Sequence, residues 1–95
     1  MADARVFAVF CYDIARDTSR ARVAALLEAD AVRVQESVFE GWMSDRRAQQ
    51  LARKAWRLAG PDDRIRLYML SPRQALRTKS YGAAPPVEAD DFHLL

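Results

Sequence analysis

The sequence predicts an α+β domain in which helices cover one face of an antiparallel sheet. Segments rich in β-branched and aromatic residues alternate along the chain with segments of helical apolar spacing. The first β-rich segment, RVFAVFCYDI at residues 5–14, is apolar on both of its faces. The 95 residues suffice for one domain with one core. The expected domain spans 1–95, with a core over 4–71 and a tail over 72–95.

Residues 5–13 read as the first strand, without Gly or Pro. Val6, Ala8, Phe10 and Tyr12 project to one side and Phe7, Val9 and Cys11 to the other, where Asp13 follows. RDTSRARVAALLEAD reads as a helix capped by Asp17, Thr18 or Ser19, with Val23, Leu26 and Leu27 on its apolar face. VRVQESVFEGWM, residues 32–43, is long for one strand. It predicts either two short strands or one strand bent at Gln35 to Ser37, although no Asn-Gly or Asp-Gly marks a hairpin.

SDRRAQQLARKAWRLAG is the clearest helix. Ser44 caps it, Ala48, Leu51, Ala55 and Leu58 recur at helical spacing, and Gly60-Pro61 ends it. Arg46, Gln50, Arg53 and Arg57 form a basic stripe on its other side, and Trp42 and Trp56 read as packing residues. DRIRLYML alternates, with Ile65, Leu67 and Met69 inward and Arg64, Arg66 and Tyr68 outward. After Pro72 the chain is expected to loosen, with DFHLL as a short extra C-terminal strand that can cover a sheet edge.

With the second β region split, the order is βαββαβ, the ferredoxin-like pattern. Two helices cover only one face of the sheet, so the second apolar face of the first strand needs a partner. The simplest is the same face of a second copy, a face-to-face homodimer.

Of 15 basic residues 13 are Arg, whose planar fork suits phosphate oxygens. Cys11 is the one cysteine, which excludes an intramolecular disulfide and a cysteine-rich metal site. Nothing reads as a signal peptide or membrane span, and a cytoplasmic location without membrane contact is expected.

CYDIARDTSRARV, RVQESVFEGWMS and the terminal YGAAPPVEADDFHLL resemble the family of small CRISPR-associated adaptation proteins over essentially the whole chain. The resemblance implies a ferredoxin-like dimer that partners the CRISPR integrase in spacer acquisition. It also implies a metal-dependent endonuclease related to VapD-type toxins. By that resemblance the metal-binding and catalytic aspartate is Asp13, with Tyr12 beside it. The nucleic-acid-binding arginines are Arg16, Arg20, Arg22 and Arg33, and Ser37 and Phe39 belong to the second motif. The family often has a Gly between the first helix and the second strand, where this chain reads EADAVRV.

The residues are compatible with that chemistry. Mg²⁺ keeps several waters and takes one or two carboxylates plus substrate phosphate, so two Asp13 side chains of a dimer can share one ion. His93 is the only histidine and lies in the tail, and Glu36 and Glu40 are the nearest further carboxylates in the motif region. Arg16 and Arg20 stand four apart on one helix edge, a spacing suited to backbone phosphates of double-stranded DNA or single-stranded RNA. Two alternatives stay open at this point: a structural adaptor that never cuts, and a VapD-like endoribonuclease toxin.

Overall fold

The computed structural model describes residues 4–83. Seven elements follow one another: β1 (Arg5–Asp13), α1 (Asp17–Glu28), β2 (Val32–Gln35), β3 (Val38–Ser44), α2 (Asp45–Leu58), β4 (Arg64–Leu70) and a short α3 (Pro72–Ala75). The strands form one sheet in the order β2-β3-β1-β4, with every pairing antiparallel. This is the ferredoxin-like arrangement expected from the sequence. No helix among the described residues is long and apolar enough to cross a membrane.

The core lies between the sheet and the two long helices. β1 contributes Val6, Ala8, Phe10 and Tyr12, α1 contributes Val23, Ala24 and Leu27, and α2 contributes Ala48, Leu51 and Ala55. Phe39 and Met43 of β3 complete it, with Ile65 and Leu67 of β4 packed at its margin. Ser44 caps α2 by accepting from the Arg47 N–H at 3.0 Å, as its position predicts.

The long β-rich segment is two strands joined by a turn at Glu36–Ser37. A two-residue hairpin of the usual primed type needs a residue at positive φ. Among the described residues no non-glycine residue has one. Instead the register shifts between Arg33 and Gln35, which face Phe39 and Val38, and this irregularity joins the strands. The turn from α1 to β2 forms without a Gly. Ala29 stays helical (φ −65°, ψ −28°), Ala31 N–H donates to the Leu27 carbonyl at 2.9 Å, and Arg47 grips Asp30 Oδ2 at 2.7 Å. Gly41 of β3 makes room for this turn, because a Cβ there would stand 2.9 Å from the Asp30 carbonyl oxygen.

Four expectations are corrected. The N-cap of α1 is Arg16, with no side-chain cap, rather than Asp17, Thr18 or Ser19. Asp17 lies inside the first turn, where its carboxylate is engaged by Arg20. Trp56 does not pack: it is 52% exposed on the outer side of α2. Met69, expected inward, is 37% exposed near the end of β4. The chain does not loosen directly after Pro72, because Ser71 and Gln74 form a reciprocal capping box that starts α3. The proposed strand at DFHLL lies outside the described residues.

The second face of the sheet carries Phe7, Val9, Cys11 and Asp13 of β1. Cross-strand partners share a face, so Trp42, Glu40 and Val38 of β3 join them, with Leu70, Tyr68, Arg66 and Arg64 of β4 on the other flank. Phe7 and Trp42 meet edge to face at 5.1 Å, and α3 packs against β1 and β4. No long helix covers the rest, and Val32 and Tyr68 stand exposed.

Glu40 lies in the middle of this face, opposite Val9 on β1 and Val32 on β2. Burial raises its carboxyl pKa above the ordinary value. A raised folded-state pKa favours the protonated fold, so the contribution is present below the ordinary carboxyl pKa and is lost as pH rises through the raised value. Glu40→Gln should therefore melt higher than wild type at pH 7, by on the order of 2 °C. The difference should close below about pH 4, where Glu40 is itself neutral. Thermal melts at both pH values check this, and an unchanged difference would exclude the carboxyl as its source.

Candidate metal and nucleic-acid site

Three connections meet at one end of the sheet. β1 ends there at Asp13 and passes to α1, the Glu36–Ser37 turn joins β2 to β3, and the loop after α2 enters β4. Asp13 is exposed, and across the ladder its Cα partner is Arg64. Strand parity puts Asp13 on the open face of the sheet, whereas Tyr12 points the other way into the core.

The loop after Asp13 is held from both sides. From the helix side, Arg20 donates to the carbonyls of Ile14 (2.8 Å) and Ala15 (3.3 Å) and pairs with Asp17. From the other side, Asp63 accepts from Ala15 N–H at 3.1 Å and from Gly60 N–H at 2.6 Å. One carboxylate thus ties the β1–α1 loop to the α2–β4 loop. A carboxylate that must meet a metal or phosphate benefits from such support, since its position is set by backbone anchors rather than by its own contacts.

The remaining sequence-predicted residues divide into two groups. Arg16 and Arg22 are exposed, Arg16 at the entry to α1 and Arg22 on its surface. Arg20 is largely committed to the loop it clamps. Arg33 lies on the core side of the sheet, its guanidinium 5.1 Å from the centre of the Phe39 ring, a cation–π contact. Phe39 is fully buried and stacks on Tyr12 at 6.2 Å. The Tyr12 hydroxyl donates to the Glu36 carbonyl at 3.4 Å, and Tyr12 N–H donates to the Ser37 carbonyl at 3.1 Å. Tyr12, Ser37 and Phe39 therefore shape the end of the sheet and fasten the turn beside Asp13, while Arg33 sits at the β2 edge away from it.

Two residues that matter here were not singled out from the sequence, Asp63 and Arg64. Asp63 follows the helix stop in GPDD and reads simply as a turn residue. Its link to Ala15, 48 positions away, becomes visible only in the folded chain. Arg64 acquires its place from the β1–β4 register. Further along the same face Arg66 donates to the Tyr68 hydroxyl at 3.1 Å, and that contact raises the Arg66 pKa further above its ordinary value.

A hard, exposed carboxylate oxygen is the donor type that Mg²⁺ takes. Among the described residues no group of three His, Cys, Asp or Glu side chains is placed to hold an ion. An ion at Asp13 would therefore have to draw its other ligands from outside such a group.

Comparison with known proteins gives the family and supports the fold. The family model described as CRISPR associated protein Cas2 matches residues 6–78. The chain is 33% identical over 91 residues to "CRISPR-associated endoribonuclease Cas2 2" of Synechocystis sp., covering 94% of this chain and 98% of the relative. It is 43% identical over 65 residues to "CRISPR-associated endonuclease Cas2 2" of Thermus thermophilus, covering 67% and 71% of the two chains. A chain in a solved structure described as a partial Cas6-RT-Cas1–Cas2 complex superposes with a TM-score of 0.68 at 27% identity. That match covers 87% of this chain and 98% of that one.

Proposed function

The chain belongs to the CRISPR-associated Cas2 family, and from that premise we propose that it is a dimeric nucleic-acid-binding subunit of CRISPR adaptation. In this reading it works beside the CRISPR integrase in spacer acquisition and hydrolyses phosphodiesters with Mg²⁺. The observation that carries the reading is Asp13, an exposed carboxylate at the end of β1 whose loop is anchored by Arg20 and Asp63. The nuclease names of the Synechocystis and Thermus relatives and the Cas1–Cas2 complex support it.

The dimer forms through the open face of the sheet, around Val9, Cys11, Val32, Trp42 and Tyr68. It brings two Asp13 carboxylates toward one ion, which supplies the second protein ligand that a single copy lacks. When bound, the metal activates a water and stabilises charge on the phosphate. The protein's own contribution is to orient and to bind. Asp13 fixes the cation, and Arg16 and Arg22 contact backbone phosphates of double-stranded DNA or single-stranded RNA. Arg20 keeps the β1–α1 loop in register, and Arg33 shields the Phe39 ring. Phosphate contacts of this kind read no bases, so binding is sequence-tolerant and falls with salt.

The test is incubation of wild-type protein with duplex DNA and with single-stranded RNA, each with Mg²⁺ and with chelator, scoring cutting and binding in the same samples. Cutting that requires Mg²⁺ is expected, and the preferred substrate reads directly from the two nucleic acids. Binding without cutting would assign the chain to the adaptor class. Cutting of RNA by the protein alone, with no binding to duplex DNA, would favour a VapD-like toxin activity instead.

A further inference from the structure

We propose that the outer side of α2 is a second nucleic-acid site, built for a single strand, in which Trp56 stacks on an unpaired base while Arg53 and Arg57 hold its phosphates. This surface is on the helix side of the sheet, whereas Asp13 is on the open face, and the proposal stands independently of any cutting.

Arg46, Gln49, Arg53 and Trp56 are all exposed and follow one another at intervals of three, four and three residues. That spacing aligns them in one stripe along the helix. Arg57 adjoins Arg53 one turn on, and the stripe runs about 16 Å from Arg46 to Arg57 at 1.5 Å per residue. A stacked strand rises about 3.4 Å per nucleotide, so this length suits roughly three to five nucleotides.

Charge favours a polyanion. Arg46, Arg53, Lys54 and Arg57 are exposed on α2, and among the described residues Arg53 and Arg57 make no ion pair. The nearby acid, Asp45, accepts from Gln49 Nε2 at 2.5 Å. Arg47 is on a different side of the helix and is already paired with Asp30. At its N-terminal end the stripe lines a recess of about 420 Å³ against Ala4, formed by Asp45, Arg46, Gln49 and Arg53.

Trp56 decides between single and double strands. An exposed tryptophan beside two arginines supplies the aromatic platform and the basic track that sequence-tolerant single-strand binders combine. In a duplex the base faces are covered by their neighbours, so the ring would find nothing to stack on. Arginines alone would serve either form of nucleic acid, whereas the ring adds affinity only for unpaired bases.

The experiment measures binding of a ten-nucleotide oligothymidylate and of a duplex of equal length by anisotropy, in chelator so that neither is cut. Trp56→Ala should weaken oligothymidylate binding about tenfold, within the span measured for base-stacking aromatics. It should leave duplex binding within about twofold. Trp56→Phe should restore most of the loss. The double change Arg53→Gln/Arg57→Gln should flatten the salt dependence for the single strand by about 1.4, at about 0.7 per phosphate. As a readout that needs no variant, oligothymidylate should quench the wild-type tryptophan fluorescence, and the quench should disappear in Trp56→Phe. Equal losses for single strand and duplex, or no loss for either, would overturn the proposal. A change confined to capture of the purified integrase subunit would reassign the surface to a protein partner and overturn it as well.

Discussion

Asp13→Asn should reduce Mg²⁺-dependent cutting by on the order of a hundredfold or more while leaving nucleic-acid binding within about threefold. The change keeps the shape of the side chain and removes its charge, so it acts on the metal rather than on packing. None of the anchors of the β1–α1 loop passes through the Asp13 side chain. Arg20 grips the Ile14 and Ala15 carbonyls, and Asp63 accepts from Ala15 N–H. The variant's melting temperature should therefore stay within about 2 °C of wild type, since an exposed polar substitution typically costs little. Binding persists because Arg16 and Arg22 lie on α1 and at its entry. The measurement is cleavage of duplex DNA and single-stranded RNA by wild type and variant, at matched protein concentration, in Mg²⁺. Equal cutting by both would move the activity away from Asp13 altogether. Loss of both cutting and binding, with the fold intact, would make Asp13 a determinant of the binding surface rather than a metal ligand.

Much of the architecture was readable in the chain because it rests on local rules. The two-sided apolarity of residues 5–13 predicted a strand with helices on one side and an open second face, and Val6, Ala8, Phe10 and Tyr12 are indeed the buried set under the helices. Ser44 caps α2, and the break near residues 35–37 separates β2 from β3. The misses have identifiable causes. Trp56 was read from its type as packing, although Ala48, Leu51 and Ala55 already fix the buried side of α2 and leave position 56 about a quarter turn away from Ala55. Ser71-Pro-Arg-Gln carries a capping box with Pro72 in the first helical turn, a position compatible with a helix start, whereas the chain was expected to loosen there. The anchoring of the Asp13 loop was not readable at all. It depends on Asp63 reaching Ala15 across 48 positions and on Arg20 turning back along its own helix, both products of tertiary structure. Arg33 matched its motif, yet only the β2–β3 register shows that it lies over Phe39 on the side of the sheet opposite Asp13.

Val9→Asp should convert the dimer to monomer, weakening self-association at least a hundredfold, and should abolish cutting with it. Val9 is half-buried on the open face, between Glu40 of β3 and Tyr68 of β4. A carboxylate there faces Glu40 directly, and like charges opposite each other across a ladder are unfavourable even in one copy. In a face-to-face dimer the same charge must be desolvated inside the interface, and a buried charge without a well-placed partner costs several kcal/mol. The monomer should survive, because Val9 lies outside the main core of Val6, Ala8, Phe10 and Tyr12. Sedimentation on dilution reads the association, thermal melting reads the fold, and the cleavage assay reads the consequence. If an ion needs the Asp13 carboxylates of two copies, the variant should cut no faster than Asp13→Asn at dilute concentration and should regain activity as concentration rises. A folded monomer that cuts as well as wild type would show that one Asp13 suffices, and an unchanged dimer would place the interface on some other surface of the molecule.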